Sequence, residues 1–234
     1  MSSKLPVLLS AVAEDAVSLF LPIGGNTVGA VTGLALEEMF RKRQEQAREI
    51  LLDELRKGDK RIEDAADVDE MVSIVHRYGR AAQEGTARLN LRLMAKVIAG
   101  KAHLGNLVAD EFLYYADLLS SLRREEVILA ATLHRFRKKA EKQGFGLVED
   151  AAMRQFWSDM EAELIPSVFE NEKMMRATAL AVGRTGLVMS GNTMDSLEYF
   201  TTSPLMDKLE ALASFDEALR EEGVAAGTGS HAEG

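Results

Sequence analysis

The stretch SSLRREEVILAATLHRFRKKAEKQG, residues 120–144, predicts a helix from Leu122 to Lys142. Gly144 follows the last charged residues, and a glycine just past the end commonly stops a helix. Good helix formers such as Ala, Leu, Glu, Arg and Lys dominate the whole chain, and only 4 of its 234 residues are proline. Strands would need more Val, Ile, Tyr and Thr. The sequence therefore predicts an all-α, mainly helical fold.

The charge and the absence of cysteine restrict the classes of function. The formal net charge is -9, with an isoelectric point near 5.1. Non-specific binding to nucleic acid needs clustered cations, so this balance disfavours it as the main role, although a local basic patch stays open. The chain has 0 cysteines, which excludes disulfides and cysteine metal ligands and is typical of a cytoplasmic protein.

No pattern in the chain predicts catalysis, a metal or a cofactor. The four histidines, His76, His103, His134 and His231, form neither HxxxH nor HExxH spacing. The glycine patterns of phosphate loops, GxGxxG loops and serine-hydrolase elbows are also absent. The prediction is a protein that is not an enzyme, has no cofactor and takes no evident small-molecule substrate.

Apolar residues at helical spacing predict further helices over 5–21, 26–57, 68–100 (as one long helix or two nearly collinear ones), 110–119, 149–164, 167–183 and 204–219. Two short extended pieces, GLVM and LEYFTT, predict one small β-hairpin between the last two helices. The predicted organisation is an apolar helical hairpin with a charged extension, a central helical segment, a C-terminal module and a disordered tail. Their ranges are 1–62, 63–121, 122–220 and 221–234.

The N-terminal part contains an apolar stretch with regularly spaced glycines. Residues 16–36 carry no charge and reach the length of a membrane span, but Pro22 to Asn26 favour a turn. Gly25, Gly29 and Gly33 recur at every fourth position, a spacing that lets two helix backbones approach closely. Packing within a helical hairpin is favoured over a zipper between helices in a membrane, and both stay open.

A row of cations at helical spacing marks the middle of the chain. Arg80, Arg88, Arg92 and Lys96 would share one side of a continuous helix, together with Glu84. This basic ridge could meet lipid phosphates, nucleic acid or an acidic partner, but a solvated helix face is the favoured interpretation. Asn90 lies among leucines and is predicted to be buried and hydrogen-bonded, where it would set helix register.

The C-terminal part, roughly residues 122–215, resembles a winged-helix module: three helices, a glycine turn, a small hairpin and a further helix. The matching residues are Leu180, Thr185, Gly186, Leu187, Val188, Tyr199 and Thr202. The resemblance implies that Lys173, Arg176 and Arg184 are the candidates for nucleic-acid contact. Because acidic residues at 170 and 172 dilute them, contact with protein or a vestigial fold is favoured over DNA reading.

The whole layout resembles the abortive-infection-alpha group of bacterial helical proteins. That resemblance implies a role in phage defence, with a cytoplasmic protein that can lie peripheral to the inner membrane. The sequence thus predicts a non-enzymatic helical interaction protein that self-associates or contacts membrane through its N-terminal hairpin. A homo-oligomer or a protein partner is expected, with nucleic acid less favoured. The alternative is a winged-helix DNA-binding transcriptional regulator.

Overall fold

The structure, a computed structural model, describes residues 30–57, 68–104, 108–143, 150–192 and 198–223. Within these ranges the chain forms nine helices and one two-stranded antiparallel sheet, so the predicted all-α fold with a small hairpin is confirmed. The elements are α1 (Ala30–Lys57), α2 (Val68–Glu84), α3 (Arg88–Leu104), α4 (Ala109–Ser120), α5 (Arg124–Lys142), α6 (Asp150–Leu164), α7 (Glu172–Gly183), β1 (Val188–Asn192), β2 (Glu198–Thr202), α8 (Pro204–Ala213) and α9 (Phe215–Glu221). The chain divides into two compact units, Met1–Ser121 and Leu122–Gly234.

The first unit is a helical bundle in which α1 packs on α2 and α3, and α4 packs on the same two helices. Tyr78 on α2 donates its hydroxyl to the Ala47 carbonyl of α1 over 2.8 Å. The Asn90 amide on α3 donates to the Leu119 carbonyl of α4 over 2.8 Å, and Asn90 is buried. The prediction of a buried, hydrogen-bonded Asn90 is confirmed. Residues 1–62 are predicted as a segment of their own, whereas in the structure α1 belongs to the same compact unit as α2 to α4.

The predicted continuous helix over 68–100 is wrong, because the chain reverses direction at Gly85. This residue has φ +89°, a conformation that glycine adopts readily and that commonly ends helices. The Thr86 N–H bonds back to the Ala81 carbonyl over 3.0 Å and closes the last turn. The end of α2 lies beside Arg43 of α1, but α3 then returns to Glu54, further along α1. The two helices are therefore not collinear, and the basic ridge does not exist as one row.

The second unit is built around α5, which packs against α6, α7, α8, α9 and β2. All residues from Glu126 to Leu133 are buried, so this helix has no solvent-facing stripe over two turns. The Glu126 carboxylate accepts from the Arg123 backbone N–H over 2.8 Å and completes the start of the helix. The stretch that predicted the helical fold thus forms the core of this unit.

The hairpin and the flanking helices follow the sequence closely, with three changes of boundary. Strand β1 covers Val188–Asn192, whereas the predicted extended piece GLVM covers 186–189. Helix α7 begins at Glu172 because the Asn171 side chain accepts from the Met174 N–H over 3.1 Å and caps it. The strands pair in antiparallel register, with Val188 opposite Thr202. The predicted helix over 204–219 is interrupted at Ser214, which has φ 40°, and forms α8 and α9.

Several predictions concern residues that are not described. The helix over 5–21, Gly25 and Gly29 lie outside the described residues, as does the tail from 224 onward. Gly33 lies in the helical backbone of α1. No helix in the described part of the chain is both long and apolar enough to cross a membrane.

Candidate functional site

The cations of the predicted basic ridge lie in different surroundings. Arg92 and Lys96 on α3 are buried against Glu54 of α1, with N···O distances of 2.7 Å and 3.2 Å. Arg80 lies on α2 and pairs with Glu84, its neighbour one turn away. Of the four cations of the basic ridge, Arg80 and Arg88 are exposed. The interpretation as a solvated face is therefore wrong for Arg92 and Lys96, whose charges face the interior of the bundle.

The buried charges of the first unit form a structural network. Arg92 also contacts Asp53 over 3.3 Å, and Lys57 reaches both Asp53 and Glu54 over 3.0 Å. The hydrogen bond from Lys57, opposed by burial and followed by the Arg92 contacts, lowers the pKa of Asp53. Nearby, burial holds the pKa of the Tyr78 hydroxyl far above its usual value. Arg92 and Lys96 are balanced by carboxylates of the adjacent helix, and Lys57 by carboxylates one turn away on its own helix. This leaves Arg92 and Lys96 little capacity for an external anion.

The candidates for nucleic-acid contact lie on or beside α7 in the second unit. Arg176 bonds to Glu172 over 2.6 Å, and its guanidinium lies 4.6 Å from the centroid of the Trp157 ring. Arg184 follows the helix and forms a two-pronged contact with Glu126, one prong of which is 2.9 Å long. Lys173 is exposed. Two of the three candidates are thus held by contacts within their own unit.

The Glu126–Arg184 pair joins the end of α7 to the start of the core helix. Glu126 is only 4% exposed, whereas the Arg184 side chain is 45% exposed. Burial alone would raise the pKa of Glu126, but the hydrogen bonds from Arg184 and the Arg123 backbone outweigh it and lower that pKa. Glu126 is therefore a carboxylate at neutral pH, and Arg184 is the member of the pair that solvent reaches.

The most unusual surface of the second unit is the exposed side of α7, which is apolar. Met174 and Leu180 are 53% and 55% exposed. Ala177, which lies between them, and Ala181, which follows Leu180, are exposed too. We call these four residues the α7 face. The opposite side of the same helix is fully buried and carries Met175, Ala179 and Val182. Large apolar side chains that stay exposed together on one helix are typical of a surface that binds another molecule.

Charged residues border the α7 face at both ends. Glu170 and Glu172 lie exposed at the beginning of the helix, and Arg184 lies just past its end. Glu161 on α6 lies beside Glu172, and burial together with that neighbouring carboxylate raises the pKa of Glu161. Glu170 therefore places an exposed carboxylate at the beginning of the face, with the cation Lys173 nearby, and Arg184 places a cation at its end.

Sequence reasoning missed the α7 face because α7 carries two apolar stripes. One contains Met174, Ala177 and Ala181, and the other contains Met175, Ala179 and Val182. Both have helical spacing, so periodicity alone cannot tell which stripe faces the core. The signal available in the sequence was that α7 carries two apolar stripes, as expected for a helix that is buried on both sides or that binds a partner.

The described residues show no site of another kind. They contain no cluster of His, Asp and Glu that could hold a metal ion. A cavity of about 240 Å³ in the second unit is lined by Phe136, Phe156 and polar residues of α5 and α6, and it brings together no catalytic set. The winged-helix and abortive-infection-alpha resemblances stay predictions. No family model, curated protein or solved structure matches this chain.

Proposed function

We propose that the chain is a non-enzymatic helical interaction protein that binds another protein through the α7 face. The observation that carries the proposal is the exposure of Met174 and Leu180 by more than half on a helix whose other side is fully buried. Burial of apolar surface drives most protein association, at about 25 cal/mol per Å² of area removed from water. A protein partner would cover these side chains.

The contacts of the basic residues favour this function over DNA binding. A winged-helix protein that reads DNA uses exposed cations on its recognition helix. Here Arg176 is bonded to Glu172 and stacked on Trp157, and Arg184 is bonded to buried Glu126. The winged-helix regulator is therefore the second candidate.

The N-terminal glycines and the expected setting belong to the same proposal. Gly25, Gly29 and Gly33 would provide a second contact, either with the rest of the chain, with another copy or with a membrane surface. The resemblance to the abortive-infection-alpha group favours phage defence in a bacterial cytoplasm as the biological setting.

Photocross-linking in the cells that naturally make the protein tests the proposed function. A photoreactive amino acid at position 180 should give adducts that proteases remove and nucleases do not. The same amino acid at Ser158, exposed on α6, is the control and should give few adducts. Adding Met174→Asp should abolish the adducts at position 180, because a carboxylate on the α7 face would have to be desolvated.

Each result of this experiment has a defined meaning. Protein adducts that depend on Met174 support the proposal. Adducts that nucleases remove would favour the DNA-binding alternative instead. If position 180 gives no more adduct than position 158, the α7 face is not a binding surface and the proposal is wrong.

Flotation with liposomes of anionic lipid tests the membrane contact separately. The full chain should float with the vesicles, and a chain that lacks residues 1–29 should stay in the soluble fraction. Equal recovery of the two chains in the soluble fraction would remove membrane contact from the proposal and leave the α7 face unaffected.

A further inference from the structure

The α7 face has the pattern of a surface that pairs with itself. We propose that its partner is a second copy of the same chain, with the two α7 helices antiparallel about a two-fold axis at Ala177. This inference rests on the proposed function and names its partner. Closed two-fold dimers are the commonest assemblies of identical chains, and their interface uses the same patch on both copies.

The order of side chains along the α7 face sets the register of the pair. With Ala177 on the axis, residues whose numbers add up to 354 lie opposite each other. Met174 then faces Leu180 of the second copy, and the same contact occurs again on the other side of the axis. The small alanine at the centre lets the helix axes come within the 8–10 Å typical of packed helices. The long side chains on either side of it fill the space beyond.

Charge complementarity favours this antiparallel pair over a parallel one. Glu170 lies just before the helix and Arg184 just after it, both exposed, so an antiparallel pair brings the beginning of one helix to the end of the other. Each Glu170 would therefore meet Arg184 of the second copy, whose own carboxylate partner, Glu126, is buried behind it. A parallel pair would place Glu170 beside Glu170, which is repulsive. Antiparallel helix dipoles add a further favourable contribution.

The size of the face predicts a weak dimer. Helix α7 has only 12 residues. Outside the α7 face, the second unit exposes one more large apolar side chain among its described residues, Met189 on β1, which is 47% exposed. Such a surface is smaller than the roughly 1,600 Å² total of a standard stable interface. Association is therefore expected in the micromolar range, so the chain would be a monomer when dilute and a dimer when concentrated.

Sedimentation equilibrium of the purified full chain tests the partner. Over about 1 to 200 µM, the range expected for a small interface, the average mass should rise from 25.7 kDa toward twice that value. Leu180→Glu should shift the midpoint at least tenfold upward, because it places a carboxylate against Met174 of the second copy. The matched control is Leu104→Glu on α3, where Leu104 is 67% exposed, and it should leave the midpoint unchanged.

Disulfide trapping tests the register. The chain has 0 cysteines, so a single engineered cysteine reports on its own position. Ala177→Cys should give a covalent dimer on mild oxidation, because the two positions face each other across the axis. Ala181→Cys should not, because the two positions lie about 12 Å apart along the helices, too far for a disulfide. Both residues are exposed alanines, so neither change is expected to disturb the fold.

The outcomes separate this inference from the proposed function. A constant monomer mass overturns the dimer, and a Leu104→Glu variant that loses association as strongly as Leu180→Glu overturns the assignment to the α7 face. Equal trapping of both cysteine variants overturns the antiparallel register. If the purified chain stays monomeric while position 180 still cross-links to other proteins in cells, the proposed function stands and only the self-pairing is wrong.

Discussion

The two units of this protein use their arginines in different ways. In the first unit, Arg92 and Lys96 lie inside the bundle against Glu54, and their side chains are 8% and 7% exposed. In the second unit, Arg176 and Arg184 stay partly at the surface, where each is held by an acidic neighbour. In both units the tertiary neighbours, and not the number of cations, determine whether a cation can bind an external ligand.

Two helices, one from each unit, differ in how much of their apolar surface they bury. Helix α3 in the first unit is buried over nearly its whole length, including Arg92, Lys96 and Lys101. Helix α7 in the second unit buries one apolar stripe and leaves the other in solvent. The comparison shows that α7 keeps a row of apolar side chains in solvent, whereas α3 buries nearly all of its side chains. Three substitutions test these differences between the units.

Glu54→Gln should have the largest effect, because it removes the negative charge that Arg92 and Lys96 share in the bundle. Breaking a buried ion pair on one side leaves an uncompensated charge and costs about 3 kcal/mol of unfolding free energy. Urea denaturation measures it. The control is Glu84→Gln, an exposed partner of Arg80, which should change stability by less than about 0.5 kcal/mol. Equal effects of the two variants would mean that Glu54 is not a buried partner.

Arg184→Met should destabilise the second unit by about 2 kcal/mol, because Glu126 stays buried with only its backbone donor. Lys173→Met, on the exposed side of α7, is the control and should be neutral. The pKa of Glu126 is lowered on folding, so its stabilising effect is present above the ordinary value of 4.5 and is lost as the pH falls below it. On acidification through this range, the free energy of unfolding measured with urea should fall less for the variant than for the natural chain. An equal fall in both chains would contradict the assignment of Arg184 as the partner of Glu126.

Glu161→Gln should have the smallest effect and the opposite sign. Burial and Glu172 raise the pKa of Glu161, so the ionised side chain is less favourable in the folded state than in the unfolded one. Folding is therefore not weakened by Glu161 below pH 4.5, the ordinary pKa of the side chain. Stability is lost as the pH rises through the higher pKa that Glu161 has in the folded state. The variant should be more stable by less than about 1 kcal/mol near neutral pH. That gain should vanish in acid, and a gain that persists there would contradict the charge explanation.

The helices could be predicted because their signals are local. Pro204 occupies the first turn of α8, and the predicted start of that helix agrees with the structure. The start of α7 was missed, because the Asn171 cap moves it from the predicted 167 to 172. The break at Gly85 was missed although glycine was visible, because apolar residues keep their helical spacing through it. Whether a glycine ends a helix depends on the packing of the helices on either side, which periodicity does not contain.

The helical fold, the hairpin and the burial of Asn90 could be predicted from the sequence, because helix propensity and apolar periodicity act over a few residues. The burial of Arg92 and Lys96 and the exposure of Met174 and Leu180 are visible only in the folded structure. Their partners, Glu54 and the core side of α7, come together through contacts between helices. Such contacts join residues that are distant in the chain, so no local pattern records them.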